Sequence, residues 1–194
     1  MPTTDQPGRS ALFHIIAVAT LAGTFAMAEP PQRSPEEMAV DAFGVRVKEY
    51  LALHRKLEAT LPKMPSKPNP DQIEKKQRAL AALIKSARHD AKPGDFFTPG
   101  IQALVKRILA GVMSGPDGKS IKASIMDENP GLPKIMINER YPSSVPLSTM
   151  PPQILSSLPA LDKALEYRFI GPRLILLDIE ADIIVDFTEV VLPE

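Results

Sequence analysis

The sequence contains no cysteine and no tryptophan, and only 5% of its 194 residues are aromatic. The absence of cysteine excludes disulfides, thiolate catalysis, cysteine-based zinc sites and a lipidated N-terminal cysteine. The absence of tryptophan removes the best anchor for a stacking or sugar-binding platform. Neither charge is in excess, with 23 Lys+Arg against 23 Asp+Glu. The composition as a whole therefore does not indicate binding to nucleic acid or to an anionic membrane.

The overall charge balance hides a difference between the two halves of the chain. Residues 29–115 contain 15 Lys+Arg against 10 Asp+Glu, whereas residues 116–194 contain 7 against 12. The preferred interpretation of this difference is that the two halves belong to one domain and attract each other. The alternative is that one of the halves carries a partner-binding face. Proline is abundant at 21 residues, about twice the usual ~5%, which predicts short elements and long connections. A hydrophobic content of 44% suffices for one medium domain with a core.

The first 28 residues have the pattern of an export signal. Arg9 supplies a positive N-terminal region, residues 11–25 are mostly apolar, and Ala26-Met27-Ala28 forms an A-x-A cleavage pattern. We expect a signal peptide over 1–28, cleavage after Ala28, and a periplasmic or secreted protein without a membrane span. An uncleaved N-terminal anchor is the alternative, although the apolar run is short for a span of ~20 residues.

After a linker over 29–34, three helices are predicted within a single domain over 35–194, whose helical half covers 35–115 and whose sheet-containing half covers 116–194. Ser34-Pro35 and Asn69-Pro70 each combine a capping residue with proline at the first helical position, and Glu37 and Gln72 can close capping boxes with Ser34 and Asn69. A third helix is predicted to start at Thr98-Pro99. The first helix has one apolar stripe with helical spacing: Val40, Phe43, Val47, Tyr50, His54, Leu57 and Leu61. The second is expected to have a basic outer face: Lys75, Lys76, Arg78, Lys85 and Arg88.

The end of the chain predicts a three-stranded antiparallel meander from Leu165 to Leu192. Its β-rich runs are separated by Gly171-Pro172 and by the polar cluster from Asp178 to Asp182. Period-two alternation predicts an inner face with Tyr167, Phe169, Leu174, Leu176 and Val185. A further strand is predicted at Lys134–Tyr141, and short helices near Ser120–Glu128 and Pro152–Ser157. Helices followed by strands indicate an α+β fold, with a helical hairpin and a third helix packed on one face of the small sheet.

Two histidines remain if the signal is removed. His54 lies in the apolar stripe, where it is either a ligand or base facing a pocket or, as is commoner, a packed and hydrogen-bonded core residue. His89 ends the second helix, where it suits the negative end of the helix dipole. Two histidines 35 positions apart do not have a zinc-site spacing.

The acidic residues of the meander have the spacing of a calcium-binding loop. Asp178, Glu180, Asp182, Asp186 and Glu189 fall at positions 1, 3, 5, 9 and 12, but Ile183 occupies the sixth position, where such loops need glycine. We therefore expect no metal and no cofactor, with Asp178, Glu180 and Asp182 as the weak metal candidates. The preferred interpretation is a solvated turn and outer face, in which Asp178 ends a strand, Glu180 to Asp182 form the turn and Asp186 points outward.

The segment Gly94–Pro99 places two adjacent phenylalanines before a helix start. Phe96 or Phe97 is predicted to act as a hydrophobic staple for that helix. The alternative is a binding loop, in which Phe96 and Phe97 would line a pocket together with His54.

Several blocks resemble a group of uncharacterised exported bacterial proteins. They are Gly94–Pro99, Tyr141-Pro142 with Pro146–Pro152, Leu165–Gly171, Leu174–Asp178 and Ile184–Asp186. The resemblance covers most of the chain after residue 28, and it implies no activity, cofactor or catalytic residue.

The sequence thus predicts an exported binding or structural protein of the bacterial cell envelope that is not a catalyst. Its partner would be an envelope protein or a small apolar ligand. One alternative is a periplasmic or secreted hydrolase that uses His54 or the Asp178/Glu180/Asp182 cluster. Another is a carrier that holds a small apolar ligand between helices and sheet.

Overall fold

A computed structural model of the chain describes residues 33–127 and 133–190. These residues belong to one compact unit, Arg33–Glu194. The predicted signal peptide over 1–28 lies outside the described residues, as do most of the linker and the end of the meander beyond residue 190. No helix in the described part is long and apolar enough to cross a bilayer.

Three helices form the first half, as predicted: α1 at Pro35–Glu58, α2 at Pro70–Ala87 and α3 at Pro99–Met113. The capping boxes predicted at Ser34 and Asn69 are both complete, with side chain and backbone bonded in each direction. Helix α1 packs against both α2 and α3. The capping residues in the sequence therefore locate the helix starts correctly.

Two shorter helices follow, α4 at Gly118–Asp127 and α5 at Pro152–Leu155. They confirm the short helices predicted near these positions. Glycine is required at the start of α4, because a Cβ on Gly118 would lie 1.9 Å from the carbonyl oxygen of Met113. The glycine thus allows α4 to begin close to the end of α3.

The predicted meander is confirmed as an antiparallel sheet with strand order β1-β2-β3. Its strands are β1 at Leu165–Ile170, β2 at Arg173–Asp178 and β3 at Ile183–Glu189. Gly171, with φ of +54°, and Pro172 connect β1 to β2. Glycine is suited to this turn because side chains disfavour a positive φ.

A β-bulge in β3 changes which side chains face the helices. Leu176 pairs with Asp186 whereas its neighbour Leu177 pairs with Ile184, so Val185 has no partner on β2. An extra residue of this kind puts two successive side chains on the same side of the sheet. The prediction that Asp186 points outward is therefore wrong: Asp186 is 0% exposed and lies on the helical side with Val185.

Both faces of the sheet are covered. The helical face carries all five predicted inner residues, which are in the main hydrophobic core with α1, α2 and α3: Tyr167, Phe169, Leu174, Leu176 and Val185. The opposite face forms a smaller cluster in which Ile135 and Tyr141 cover Ile175, Leu177 and Ile184. Residues of the 133–145 segment thus shield the face that the helices leave open.

The prediction of a strand at Lys134–Tyr141 is wrong. Only one isolated bridge forms there, between Arg140 and Ile183. Asn138 adopts a positive φ of 60°, which interrupts an extended strand, and its side chain accepts a hydrogen bond from Arg88 Nη1 at 2.6 Å. A side-chain interaction with α2 therefore overrides the alternating pattern.

Candidate functional site

The most concentrated polar chemistry in the described residues surrounds His54, at the junction of α1 with the β2–β3 turn. His54 is 1% exposed and Asp178, the last residue of β2, is 0% exposed. The His54 Nδ1 lies 2.7 Å from Asp178 Oδ2. The expectation that His54 is a packed, hydrogen-bonded core residue is confirmed. Asp178 ends its strand as predicted, but the expectation that it is solvated is wrong.

Asp178 accepts four hydrogen bonds in this buried position. Besides the one from His54, its Oδ2 accepts one from the Tyr50 hydroxyl at 2.6 Å, one helical turn before His54. Its Oδ1 accepts the backbone N–H groups of Glu180 at 3.0 Å and Ala181 at 2.8 Å. The two backbone bonds form the turn after β2. The carboxylate therefore ties α1 to the sheet and shapes the turn at the same time.

The second ring nitrogen of His54 faces two more carboxylates. His54 Nε2 lies 2.9 Å from Glu180 Oε2 and 4.0 Å from Glu58 Oε2. Lys76 donates to the other oxygen of Glu58 at 2.5 Å, and this bond lowers the pKa of Glu58. The hydrogen bond to Asp178 raises the pKa of His54, against burial, which favours the neutral ring. The ring is thus placed between acceptors on both sides.

Arg88 lies next to this cluster. The sequence predicts that it lies on the exposed basic face of α2, but it is half-buried instead. Its guanidinium carbon lies 5.2 Å from the centroid of the Tyr50 ring and 5.5 Å from that of Phe96, within cation–π range. Its Nη2 also donates to the carbonyl of Val185, the bulged residue, at 3.2 Å. Arg88 therefore connects the end of α2 to α1 and to β3.

Asp186 organises the loop that precedes α3. Its carboxylate accepts the backbone N–H groups of Gly94 at 3.0 Å, Phe96 at 2.7 Å and Phe97 at 2.9 Å. Gly94 has a φ of +92°, a conformation that favours glycine. Burial raises the pKa of Asp186, although these N–H donors favour its ionised form. Asp186 therefore attaches the loop that precedes α3 to strand β3.

The three residues proposed to share a pocket do not line one together. Phe96 lines a cleft of about 380 Å³ with Tyr50 and Arg88 among others. His54 and Phe97 do not line this cleft, and Phe97 is 0% exposed in the hydrophobic core. The structure thus places Phe96 beside an open cleft and the other two residues in the interior.

The acids with calcium-loop spacing point in four different directions. Asp178 and Glu180 meet His54, while Asp182 pairs with Arg140 at 2.6 Å. Asp186 lies under the 94–97 loop, and Glu189 pairs with Arg173 at 2.9 Å. Of the three weak metal candidates, only Asp178 and Glu180 are brought together. His89 is exposed just beyond the end of α2, where its Nδ1 lies 3.3 Å from the carbonyl oxygen of Ser86 and its Nε2 lies 3.1 Å from Asp90.

The sequence reasoning missed Tyr50, Glu58 and Arg88 as parts of a polar site. A signal for the first two was present, because both lie within one turn of His54 on the same helix. The third gave no local signal, since it continues a run of basic residues on α2. Its partners, among them Asn138 and the bulged residue Val185, are far away in the sequence.

The geometry limits what His54 can do as a base. The hydrogen bonds of His54 in the described structure all go to carboxylates, Asp178 and Glu180. With both carboxylates ionised the ring donates from both nitrogens and has no lone pair to accept a proton. The hydroxyl of Ser148, in the loop that precedes α5, is buried and bonded to the backbone N–H and C=O of Phe169. The arrangement therefore supports a fixed polar junction better than a nucleophile and its base.

A groove of about 750 Å³ lies along β1, which is an edge strand of the sheet. Its apolar wall includes Met150, Leu155 and Leu158, and its rim carries both charges, through Asp162 and Lys163 among others. The volume falls within the range of ~300–1,000 Å³ that is usual for ligand sites. The residues that line this groove do not include those of the His54 cluster.

Comparisons of the chain with protein-family models, with curated proteins and with solved structures find no match.

Proposed function

We propose that this chain is an exported binding protein of the bacterial cell envelope, without catalytic activity, that takes an extended, apolar stretch of another polypeptide into the groove beside β1. The observation that supports this most directly is the position of the groove along an edge strand. Edge strands present backbone donors and acceptors to which a further polypeptide segment can pair.

The backbone pattern of β1 indicates where such a segment would pair. Phe169 directs its N–H and C=O away from β2, because both are bonded to the Ser148 hydroxyl at 3.2 and 2.8 Å. In an antiparallel pair this orientation repeats at every second residue, so the N–H and C=O of Tyr167 also face the groove side. The Ser148 hydroxyl already bonds the backbone groups of Phe169. An added polypeptide segment would therefore pair with the backbone groups of Tyr167.

A polypeptide suits this groove better than a lipid chain does. A peptide backbone can both donate to and accept from Tyr167, whereas an acyl chain would bury these groups without partners, at a cost of about 1–3 kcal/mol each. The groove rim also carries charges of both signs, Asp162 and Glu166 against Lys163 and Arg168. The carrier of a small apolar ligand is therefore the less favoured alternative, and the hydrolase alternative lacks a free base at His54.

Export is supported by the N-terminal sequence, through the A-x-A pattern that ends at Ala28. N-terminal sequencing of the protein from a periplasmic extract should start at Glu29. A chain that begins at Met1 or Pro2 in that extract would show that the segment is not removed.

Peptide binding is tested with phage-displayed random peptides selected on the immobilised protein and then measured by fluorescence polarisation. Leu155 lines the groove and is 49% exposed, so Leu155→Arg should leave the fold intact. We expect this substitution to raise the Kd of the selected peptides about tenfold or more, since burying an apolar side chain of this size contributes about 1.5–3 kcal/mol. Leu147→Arg, at a residue 63% exposed that does not line the groove, is the matched control and should have little effect.

Three results would contradict the proposal. The first is equal weakening of peptide binding by Leu155→Arg and Leu147→Arg, and the second is a failure to enrich any peptide. The third is a fatty acid that co-purifies in native mass spectrometry and displaces the selected peptides, which would favour the carrier.

A further inference from the structure

Three potential metal ligands converge beside the β2–β3 turn. They are His54 Nε2, a carboxylate oxygen of Glu58 and a carboxylate oxygen of Glu180, all within 4.8 Å of one another. Glu58 follows His54 by one helical turn, and Glu180 reaches the same point from the turn after β2. Imidazole with two carboxylates is a donor set that suits Zn²⁺ and similar divalent transition metals. From this geometry we propose a divalent transition-metal site formed by His54, Glu58 and Glu180.

The position of the imidazole is already fixed in the manner of a metal ligand. His54 Nδ1 lies 2.7 Å from Asp178 Oδ2, so Nδ1 can keep its proton when Nε2 loses its own and offers a lone pair to an ion on the side of the two glutamates. Asp178 is itself held by Tyr50 and by two backbone N–H groups. A carboxylate on the far nitrogen of a ligating histidine orients the ring and increases its basicity.

A single proton cannot bridge all three converging atoms, His54 Nε2 and one carboxylate oxygen each of Glu58 and Glu180. A proton on His54 Nε2 reaches Glu180 Oε2 at 2.9 Å but leaves Glu58 Oε2 at 4.0 Å. A tetrahedral ion with bonds of about 2.0–2.2 Å holds its ligands about 3.4 Å apart. Binding would therefore need only small movements of two glutamate side chains that are 33% and 43% exposed. The Nε2 proton passes to water as the ion takes its place.

The charges of the cluster also favour a cation. Glu58, Asp178 and Glu180 contribute three negative charges, and Lys76, bonded to Glu58, contributes one positive charge. With a neutral His54 these four groups have a net charge of −2, and Arg88 beside Tyr50 reduces it to −1, so the cluster attracts a cation. The buried ring closes one side of the site, and the two exposed glutamates leave the remaining coordination positions to water.

The test is isothermal titration of the full chain with Zn²⁺, together with the shift in Tm that the ion causes. We expect one ion per chain and a raised Tm, with a smaller shift for Mg²⁺ or Ca²⁺, which prefer sites made of oxygen ligands alone. Glu58→Gln and Glu180→Gln should each raise the Kd for Zn²⁺ by about tenfold or more. Both residues are partly exposed, so circular dichroism should show an unchanged fold.

Two control variants distinguish this site from adventitious binding. Glu49→Gln changes an exposed acid on the same helix, and His89→Asn removes the exposed histidine beside Asp90. Both should keep the wild-type Kd. Absence of saturable Zn²⁺ binding would overturn the proposal, and so would binding that survives in Glu58→Gln and Glu180→Gln but disappears in His89→Asn. Peptide binding at the β1 groove is measured separately, so either proposal can fail without the other.

Discussion

The substitution that tests the arrangement most directly is Asp178→Ala. In the folded protein Asp178 is 0% exposed and bonds the Tyr50 hydroxyl, the His54 ring and two backbone N–H groups. Alanine would leave the tyrosine hydroxyl and the N–H of Ala181 buried without partners, at about 1–3 kcal/mol each. The ring would keep its bond to Glu180, and the cost of burying the carboxylate would disappear.

These opposing contributions predict a loss of about 4 kcal/mol in the free energy of unfolding, in the range for breaking a buried ion pair. For a domain of this size, 1 kcal/mol corresponds to about 2–4 °C in Tm, so the melting temperature should fall by about 8–16 °C. Urea denaturation followed by circular dichroism measures the free energy, and calorimetry measures Tm. Asp90→Ala, at an acid whose side chain is 90% exposed, is the control and should change stability by less than about 0.5 kcal/mol.

A double-mutant cycle identifies the source of the loss. Tyr50→Phe alone should cost about 1.5 kcal/mol, because it removes one hydrogen bond to a charged group. Combined with Asp178→Ala, it should cost much less than the sum, since each change removes the same bond. If Asp178 only ended a strand in solvent, Asp178→Ala would match Asp90→Ala. That result, or a fully additive double variant, would refute the reasoning.

Two further predictions concern other buried groups. Burial raises the pKa of all three tyrosines, Tyr50, Tyr141 and Tyr167, above the usual value of about 10. Because the unfolded chain loses these phenol protons first, the stability they contribute is present below about pH 10 and is lost as the pH rises through the folded pKa values. Tyrosinate absorbance should therefore increase together with the loss of circular dichroism, and early ionisation of one tyrosine in the folded protein would contradict this. Ser148→Ala should lower the free energy of unfolding by about 1–3 kcal/mol, because the backbone N–H and C=O of Phe169 lose their shared partner; a loss below about 0.5 kcal/mol in urea denaturation would show that water replaces the hydroxyl.

The helix starts and the sheet could be predicted because they depend on local chemistry. Ser34 and Asn69 satisfy backbone groups within three residues of themselves, and Gly171 allows a turn that most residues disfavour. Such signals are contained in a few adjacent residues. The apolar alternation of β1 and β2 likewise predicts the inner face of the sheet correctly.

The predictions failed where the outcome depends on distant residues. His54 and Asp178 are 124 positions apart, and the sequence alone does not pair them. The bulge at Val185 shifts the period-two pattern by one residue, so the alternation that places Val185 correctly misplaces Asp186. A buried His54 does imply a hydrogen-bonded partner, but not which acid provides it.

The polar junction is better explained by the position it gives to Glu180 than by its contribution to stability. A buried ionic group can often be replaced by apolar residues of similar volume with no loss of stability, because its attraction is offset by the cost of desolvation. Apolar residues would not, however, accept the backbone N–H groups of Glu180 and Ala181, which Asp178 holds at 3.0 and 2.8 Å. Those two bonds fix the turn and bring the Glu180 carboxylate within 2.9 Å of His54 Nε2. A structural role accounts for Asp178 and for Glu180, because the buried His54 needs an acceptor at each ring nitrogen. Glu58 Oε2, at 4.0 Å from Nε2, is beyond hydrogen-bond distance, and it is this third oxygen that the proposed cation would use.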